Sequence, residues 1–334
     1  MCAAEVRDSF SDTPARIDCL QYCDMSPARI LEMREGELDA VHVTVAYHEH
    51  FRGAVDNIAA WREMFDRHSD MLMPGQTAAD VIAARESGRT AVFFGLQNCA
   101  PMENDLRLLG ILHLLGVKFM QLTYNQQSLL ASGCFEEKDG GITAAGREVI
   151  GEMNRLGMIV DLSHAGERSL LQAAQLSSRP VAVTHAAPKF WRDSPRHLSD
   201  DALRAVAQSG GMLGLSLYPH HLAGGGECTL QSFCQMAART ADIIGTKHLG
   251  IGSDLCRGQP DKVLAWMRDG HWRRGDSTKE APVFPKQPLW FKSAADFGNL
   301  QAGLTAAGFD EAEADGILGG NWLRFFDEGF APQQ

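Results

Sequence analysis

Residues 152–185 read EMNRLGMIVDLSHAGERSLLQAAQLSSRPVAVTH, and the order in them is helix, strand, helix, strand. The run IVDLSH at 159–164 and the run VAVTH at 181–185 are short, apolar and β-branched, as strands buried on both faces are. ERSLLQAAQLSS between them carries a helical pattern. The same alternation extends in both directions: ARIDCLQ at 15–21, AVHVTVAY at 40–47, TAVFFGLQ at 90–97, FMQLTY at 119–124, MLGLSLY at 212–218 and HLGIGSD at 248–254 complete a set of eight strands. The helices between them have their own punctuation. Ser26 precedes Pro27, Thr77 opens a helix that stops at Gly88, and Ser199 opens another before a double glycine; these are the residues favoured at helix caps and stops. Eight strands alternating with helices over about 240 residues predict an α/β fold, a closed (β/α)8 TIM barrel. No GxGxxG follows the first strand, which counts against a dinucleotide-binding sheet.

The whole chain, 1–334, is read as a single barrel domain. Residues 256–298, rich in Pro, Gly, Trp and both charges, read as a long excursion over the barrel mouth. Residues 299–327 read as C-terminal helices interrupted at Gly319-Gly320. The composition, 45% hydrophobic and 22% charged, is that of a folded soluble chain. The net charge of −11 argues against nucleic-acid or anionic-membrane partners, which need a basic surface. A small-molecule substrate is the expected partner. No run reaches the ~20 apolar residues of a membrane span. The eight cysteines form no CxxC pair, and the N-terminal residues lack an apolar leader core; the expected location is the cytoplasm.

Chemistry in such a barrel gathers at the C-terminal ends of the strands. Those ends hold Gln97, Tyr124, His164, His185 and Asp254, among them two imidazoles and a carboxylate suited to metal binding or proton transfer. His164 and His185 close neighbouring strands, within reach of a shared ion. His42 lies inside a strand and reads as a core histidine. His220 and His221 read as solvent-facing loop residues. The Trp266, Trp272, Arg273 and Arg274 group is a candidate cover for a substrate.

MQLTYNQQSLL, EMNRLGMIVDLSHAG, PVAVTHAAP, HLGIGSDL and the C-terminal GGNWLRFF together resemble the membrane (renal) dipeptidase family, in order, from about residue 15 to 327. The resemblance implies a barrel of the metal-dependent amidohydrolase type that hydrolyses dipeptides with two bridged zinc ions. It implies that His164 and His185 hold the second zinc, that Asp254 manages the proton of the attacking water, and that Arg196 grips the substrate carboxylate. It places Tyr124 where some members carry a substrate-polarising histidine, and it implies a homodimer. Three metal-ligand positions depart from the family: Leu20 and Tyr22 stand where it has the histidine and aspartate of the first zinc, and Gln97 where it has the bridging glutamate; His197 also replaces the asparagine that usually follows the arginine. The expectation is a dipeptidase-like hydrolase of dipeptides or small amide-linked amino-acid derivatives. It would use at most one zinc ion, or none, with His164, His185 and the amide oxygen of Gln97 as ligands. His48 or His50 is a candidate third imidazole. Asp254, Tyr124, His164 and His185 are the catalytic candidates, and Arg196, Tyr124 and Gln97 the substrate-binding ones. Two alternatives stay open: a metal-independent acid–base enzyme, of lyase or isomerase type, on a small carboxylated amine, and a catalytically inactive binding homologue.

Overall fold

The computed structural model describes residues 14–271 and 282–331. Nine strands are present among them: β1 (Ile17–Gln21), β2 (Ala40–Ala46), β3 (Leu72–Pro74), β4 (Thr90–Leu96), β5 (Val117–Gln121), β6 (Ile159–Asp161), β7 (Ala182–Ala186), β8 (Met212–Leu215) and β9 (Leu249–Ile251). Every pairing between named strands is parallel, and pairing of β1 with both β2 and β9, and of β2 with β4, closes the ring. Eight strands form a (β/α)8 barrel. The ninth, β3, pairs along the first residues of β4, and β5 takes over further along the same strand. Three residues carry no measurable period, so β3 leaves no trace in the sequence pattern.

Burial explains the apolar runs. All residues of β1, β2, β4 and β5 are buried, because one face meets the barrel interior and the other the helical layer. Strands end earlier than the apolar runs do. Tyr124, His164 and Asp254 lie beyond the last paired residues of β5, β6 and β9, on the loops that leave the barrel.

The bottom of the barrel is closed by the helix Gly320–Gly329, whose Trp322, Phe325 and Phe326 pack with Phe93, Phe119 and Met212. Trp322 Nε1 donates to the Ile251 carbonyl (3.0 Å), satisfying the polar edge of a buried indole. At the mouth, Leu264 and Met267 of the helix Asp261–Asp269 pack against Tyr47 and Tyr124. Trp266 donates to Glu49 (3.2 Å). Trp272, Arg273 and Arg274 lie outside the described residues. Three helices, Asn299–Ala306, Glu311–Leu318 and Gly320–Gly329, follow. No helix among the described residues is long and apolar enough to cross a membrane.

Candidate active site

The barrel interior is stitched at two points beneath the mouth. Asp18 accepts from the Ser253 backbone and hydroxyl and from Gln21 Nε2, joining β1 to the exit of β9. Asp161, at the end of β6, accepts from Gln121, from the backbone and hydroxyl of Ser163, and from the backbone and hydroxyl of Thr184. These satisfied carboxylates fix the loop starts from which the site residues project.

His164 and His185 meet directly, their Nε2 atoms 3.1 Å apart. The partners of their other nitrogens decide what those atoms carry. Asn125 Oδ1 lies 2.7 Å from His164 Nδ1; a carbonyl oxygen only accepts, so Nδ1 holds the proton. Thr184 gives its hydroxyl proton to Asp161 (2.7 Å), leaving its oxygen to accept from His185 Nδ1 (2.9 Å). Both Nε2 lone pairs therefore face each other across a gap that a cation or proton would bridge. Two nitrogens bound to one tetrahedral zinc at 2.0–2.1 Å stand about 3.3 Å apart, close to the separation found. Burial and the nearby Arg196 guanidinium hold both imidazoles well below the usual histidine range, which keeps them neutral, the form that ligates.

Tyr124 stacks on His164, ring centroids 4.1 Å apart, and burial raises its phenol far above the ordinary value. Asp254 is partly buried and occupies a left-handed backbone conformation (φ 55°), as does Asn125 (φ 64°). Non-glycine residues held there cluster at functional sites. Burial pushes the Asp254 carboxyl up to about 7, against the pull of Arg196. Arg196 is itself buried. It donates to the carbonyls of Ser163 and His185, and its Nε has no hydrogen-bond partner. As placed, the guanidinium braces the two strand exits that carry the histidines.

Gln97 stands on the far side of the tyrosines. Its amide nitrogen donates to Thr44 (2.8 Å) and to the Tyr47 hydroxyl (3.0 Å), and Tyr47 in turn packs edge-on to Tyr124 (5.3 Å). These bonds join it to Thr44 and Tyr47, and among the described residues none reaches the histidine pair. A third imidazole from His48 is not available: Asn98 Nδ2 approaches its Nδ1 (3.3 Å) and its Nε2 contacts the Met267 carbonyl (3.0 Å). His50 is exposed and stacks on His271. Among the described residues no three His, Cys, Asp or Glu side chains converge on a common ion position. His221 corrects the expectation of a solvent-facing residue. It is buried, bonded to Ser216 (2.8 Å) and packed on His197. His42 is buried as expected, stacked on Phe119 with Nδ1 on the Cys19 carbonyl.

Asn125, Asp161, Thr184 and Tyr47 were not picked out by the residue-level reading. Each sits in a quoted motif beside a conspicuous neighbour, and their roles depend on which atoms they meet across strands. A conformational hint existed for Asn125, since asparagine tolerates the left-handed region.

Comparison with known proteins gives this arrangement a context. The family model "Membrane dipeptidase (Peptidase family M19)" matches residues 3–266; the chain belongs to the membrane dipeptidase family. Dipeptidase tcpJ of Claviceps purpurea is 29% identical over 228 residues, 67% of this chain and 52% of that protein. Dipeptidase 3 of Mus musculus is 26% identical over 285 residues, 82% of this chain and 51% of that protein. The chain thus spans about half the length of the curated relatives it matches. Among solved structures, an amidohydrolase from Pseudomonas aeruginosa is 30% identical with a TM-score of 0.90, covering 95% of this chain and 97% of its own. A metallopeptidase from Rhodobacter sphaeroides, bound to a phosphinate mimic of L-Ala-D-Ala, shares the fold at 18% identity and a TM-score of 0.79, over 95% of this chain and 100% of its own.

Proposed function

We propose that this chain hydrolyses dipeptides or small amide-linked amino-acid derivatives, with one metal ion held between His164 and His185. The observation that carries the reading is the pair of facing Nε2 lone pairs 3.1 Å apart, each fixed from behind by Asn125 or by the Thr184–Asp161 relay. Ligating histidines are commonly oriented in this way by the bond their other nitrogen makes. The named relatives are dipeptidases. A bound zinc would supply Lewis-acid polarisation and a water acidic enough to attack at neutral pH. The single-ion reading rests on residue chemistry: Leu20 has no donor atom, and Gln97 is a neutral amide engaged with Thr44 and Tyr47.

The chain's own groups cover the remaining tasks. Asp254, poised near neutral pH, takes a proton from the nucleophile and returns it to the leaving amine. The buried phenol of Tyr124, kept protonated, donates to the developing oxyanion. Arg196 holds the exits of β6 and β7 in register and sets a positive charge beside the two histidines.

Full-length protein assayed with a panel of dipeptides, alongside elemental analysis, tests the reading. Cleavage that is lost in His164→Ala and His185→Ala, with about one zinc per chain, supports it. Two zinc equivalents per chain, or cleavage indifferent to both substitutions, would overturn it.

A further inference from the structure

The candidate histidine pair is closed to water. His185 has 0% and His164 6% of its surface exposed, and Tyr124 and Arg196 keep 8% and 5%. Asp254 alone of these five is partly exposed. A side chain with no surface open to water has none open to a peptide bond. The cover over the pair has to move before a substrate reaches it, and the bonding of that cover singles out one part.

The loops that carry Asn125 and Arg196 are tied down by backbone hydrogen bonds. Cys134 donates to the His164 carbonyl (2.9 Å) and Gly166 to that of Ser132 (2.9 Å). Lys189 donates to Leu198 (2.8 Å) and Leu198 to Ala187 (3.0 Å). The helix Asp261–Asp269 is held differently. Among the described residues, no backbone–backbone hydrogen bond joins residues 258–271 to the rest of the chain. The bonds that hold this stretch use a side chain at one end or both. Trp266 Nε1 donates to Glu49 (3.2 Å), and His48 Nε2 to the Met267 carbonyl (3.0 Å). Gln259 donates to the Cys23 carbonyl (3.1 Å), and Asp261 accepts from the Phe284 amide (3.3 Å). Leu264 and Met267 are buried against Tyr47 and Tyr124, while Asp261 and Lys262 are exposed. His48 touches both sides of this joint, edge-on to Tyr124 (5.6 Å) and to Trp266 (5.5 Å). Elements held by few backbone bonds open at the least cost.

The ends of the helix suit a pivot. Asp24 donates to the Arg257 carbonyl (2.9 Å), which pins the chain as far as Arg257. Gly258 (φ 74°) follows at once, and Gly270 (φ 53°) ends the helix. Glycine takes such angles without the steric cost other residues meet, and hinges are commonly a few residues at element ends. We infer that the helix Asp261–Asp269 is a hinged lid, which swings about Gly258 and Gly270 to admit the substrate and seats Leu264 and Met267 on Tyr47 and Tyr124 when it closes. The inference rests on the proposed hydrolysis only for what is admitted.

The test reads access to His164 directly. Metal-free full-length protein is treated with diethyl pyrocarbonate, and carbethoxylation of His164 is followed by peptide mass spectrometry. The reference is His68, half-buried at the end of the helix Phe51–Arg67. In the parent, His164 reacts slowly. Leu264→Ala combined with Met267→Ala removes the apolar seat and speeds the reaction of His164 at least tenfold, with His68 unchanged. Lys262→Ala, on the exposed side of the helix, alters neither rate. An unchanged urea midpoint in the double variant separates lid opening from unfolding of the barrel. If that midpoint falls, Trp266→Phe decides: it removes the bond to Glu49, keeps an aromatic ring, and speeds His164 at least threefold. A His164 rate that is the same in the parent and the variants overturns the lid, as does equal acceleration by Lys262→Ala. If His164 behaves as expected and no dipeptide is cleaved, the lid stands and the dipeptidase reading alone fails.

Discussion

Asp254 sits on a left-handed backbone, half withdrawn from water, with the Arg196 charge pulling its carboxyl down and the like charge of Asp18 pushing it up. Its pKa of about 7 in the fold lies above the ~3.9 of an unfolded aspartate. The fold thus binds this proton more tightly than the unfolded chain does. The stability linked to it is complete below about pH 4 and is lost as pH rises through 7. In metal-free protein, Asp254→Asn should remove that loss. Urea denaturation should show the variant gaining on the parent by about 2 kcal/mol between pH 4 and pH 8, a value already reduced for partial exposure. A parallel pH dependence in the two proteins would mean that the carboxyl is not perturbed. The same substitution should lower kcat by about 100-fold or more, since an amide accepts no proton. Asn125 acts one step back, through His164. Asn125→Ala should weaken zinc binding by about 10–100-fold, read by competition with a chromogenic chelator, and Asn125→Asp should restore most of it. Equal zinc affinity in Asn125→Ala and the parent would remove the orienting role.

Among the elements, β9 and the helix Gly320–Gly329 meet closely at the barrel bottom. A Cβ built at Gly250 would lie 2.2 Å from the Trp322 indole nitrogen, and that indole is fixed by its bond to Ile251. Gly250→Ala should therefore cost about 1–3 kcal/mol through overpacking, seen as a lower urea midpoint, whereas Gly110→Ala, with open space around its position, should cost nothing of that size. The helix starts were legible because caps are local. Ser199 accepts from the Ala202 amide, and Thr77 forms a capping box with Asp80. Ser26 occupies the cap position before Pro27 without making a side-chain bond there. Strand ends were less legible, since an apolar run continues past the last ladder bond wherever the exiting loop stays buried, as at Leu122 and Leu162.

For the whole molecule, a metal held between two residues of adjacent strands couples binding to folding. Ligand that binds only the folded state adds about 2.7 kcal/mol at a concentration 100 times its Kd. Thermal melting with and without zinc should show a higher Tm for the loaded parent, and no zinc-dependent gain for the His164→Ala, His185→Ala double variant. A zinc-dependent gain that survives in the double variant would locate the ion elsewhere.

The primary sequence determined the alternation of eight buried strands with capped helices, because burial period and cap chemistry are properties of a few neighbouring residues. It also placed His164, His185 and Asp254 at strand exits, because each closes its own apolar run. Only the tertiary structure decided what those residues can do. The 3.1 Å approach of the two imidazoles, the engagement of Gln97 with Tyr47, the turn of Arg196 onto backbone carbonyls and the loss of His48 as a free ligand all join residues from different strands or loops. Lone-pair direction and charge balance depend on such distances, which span 11 to 219 positions along the chain, and no local pattern encodes them.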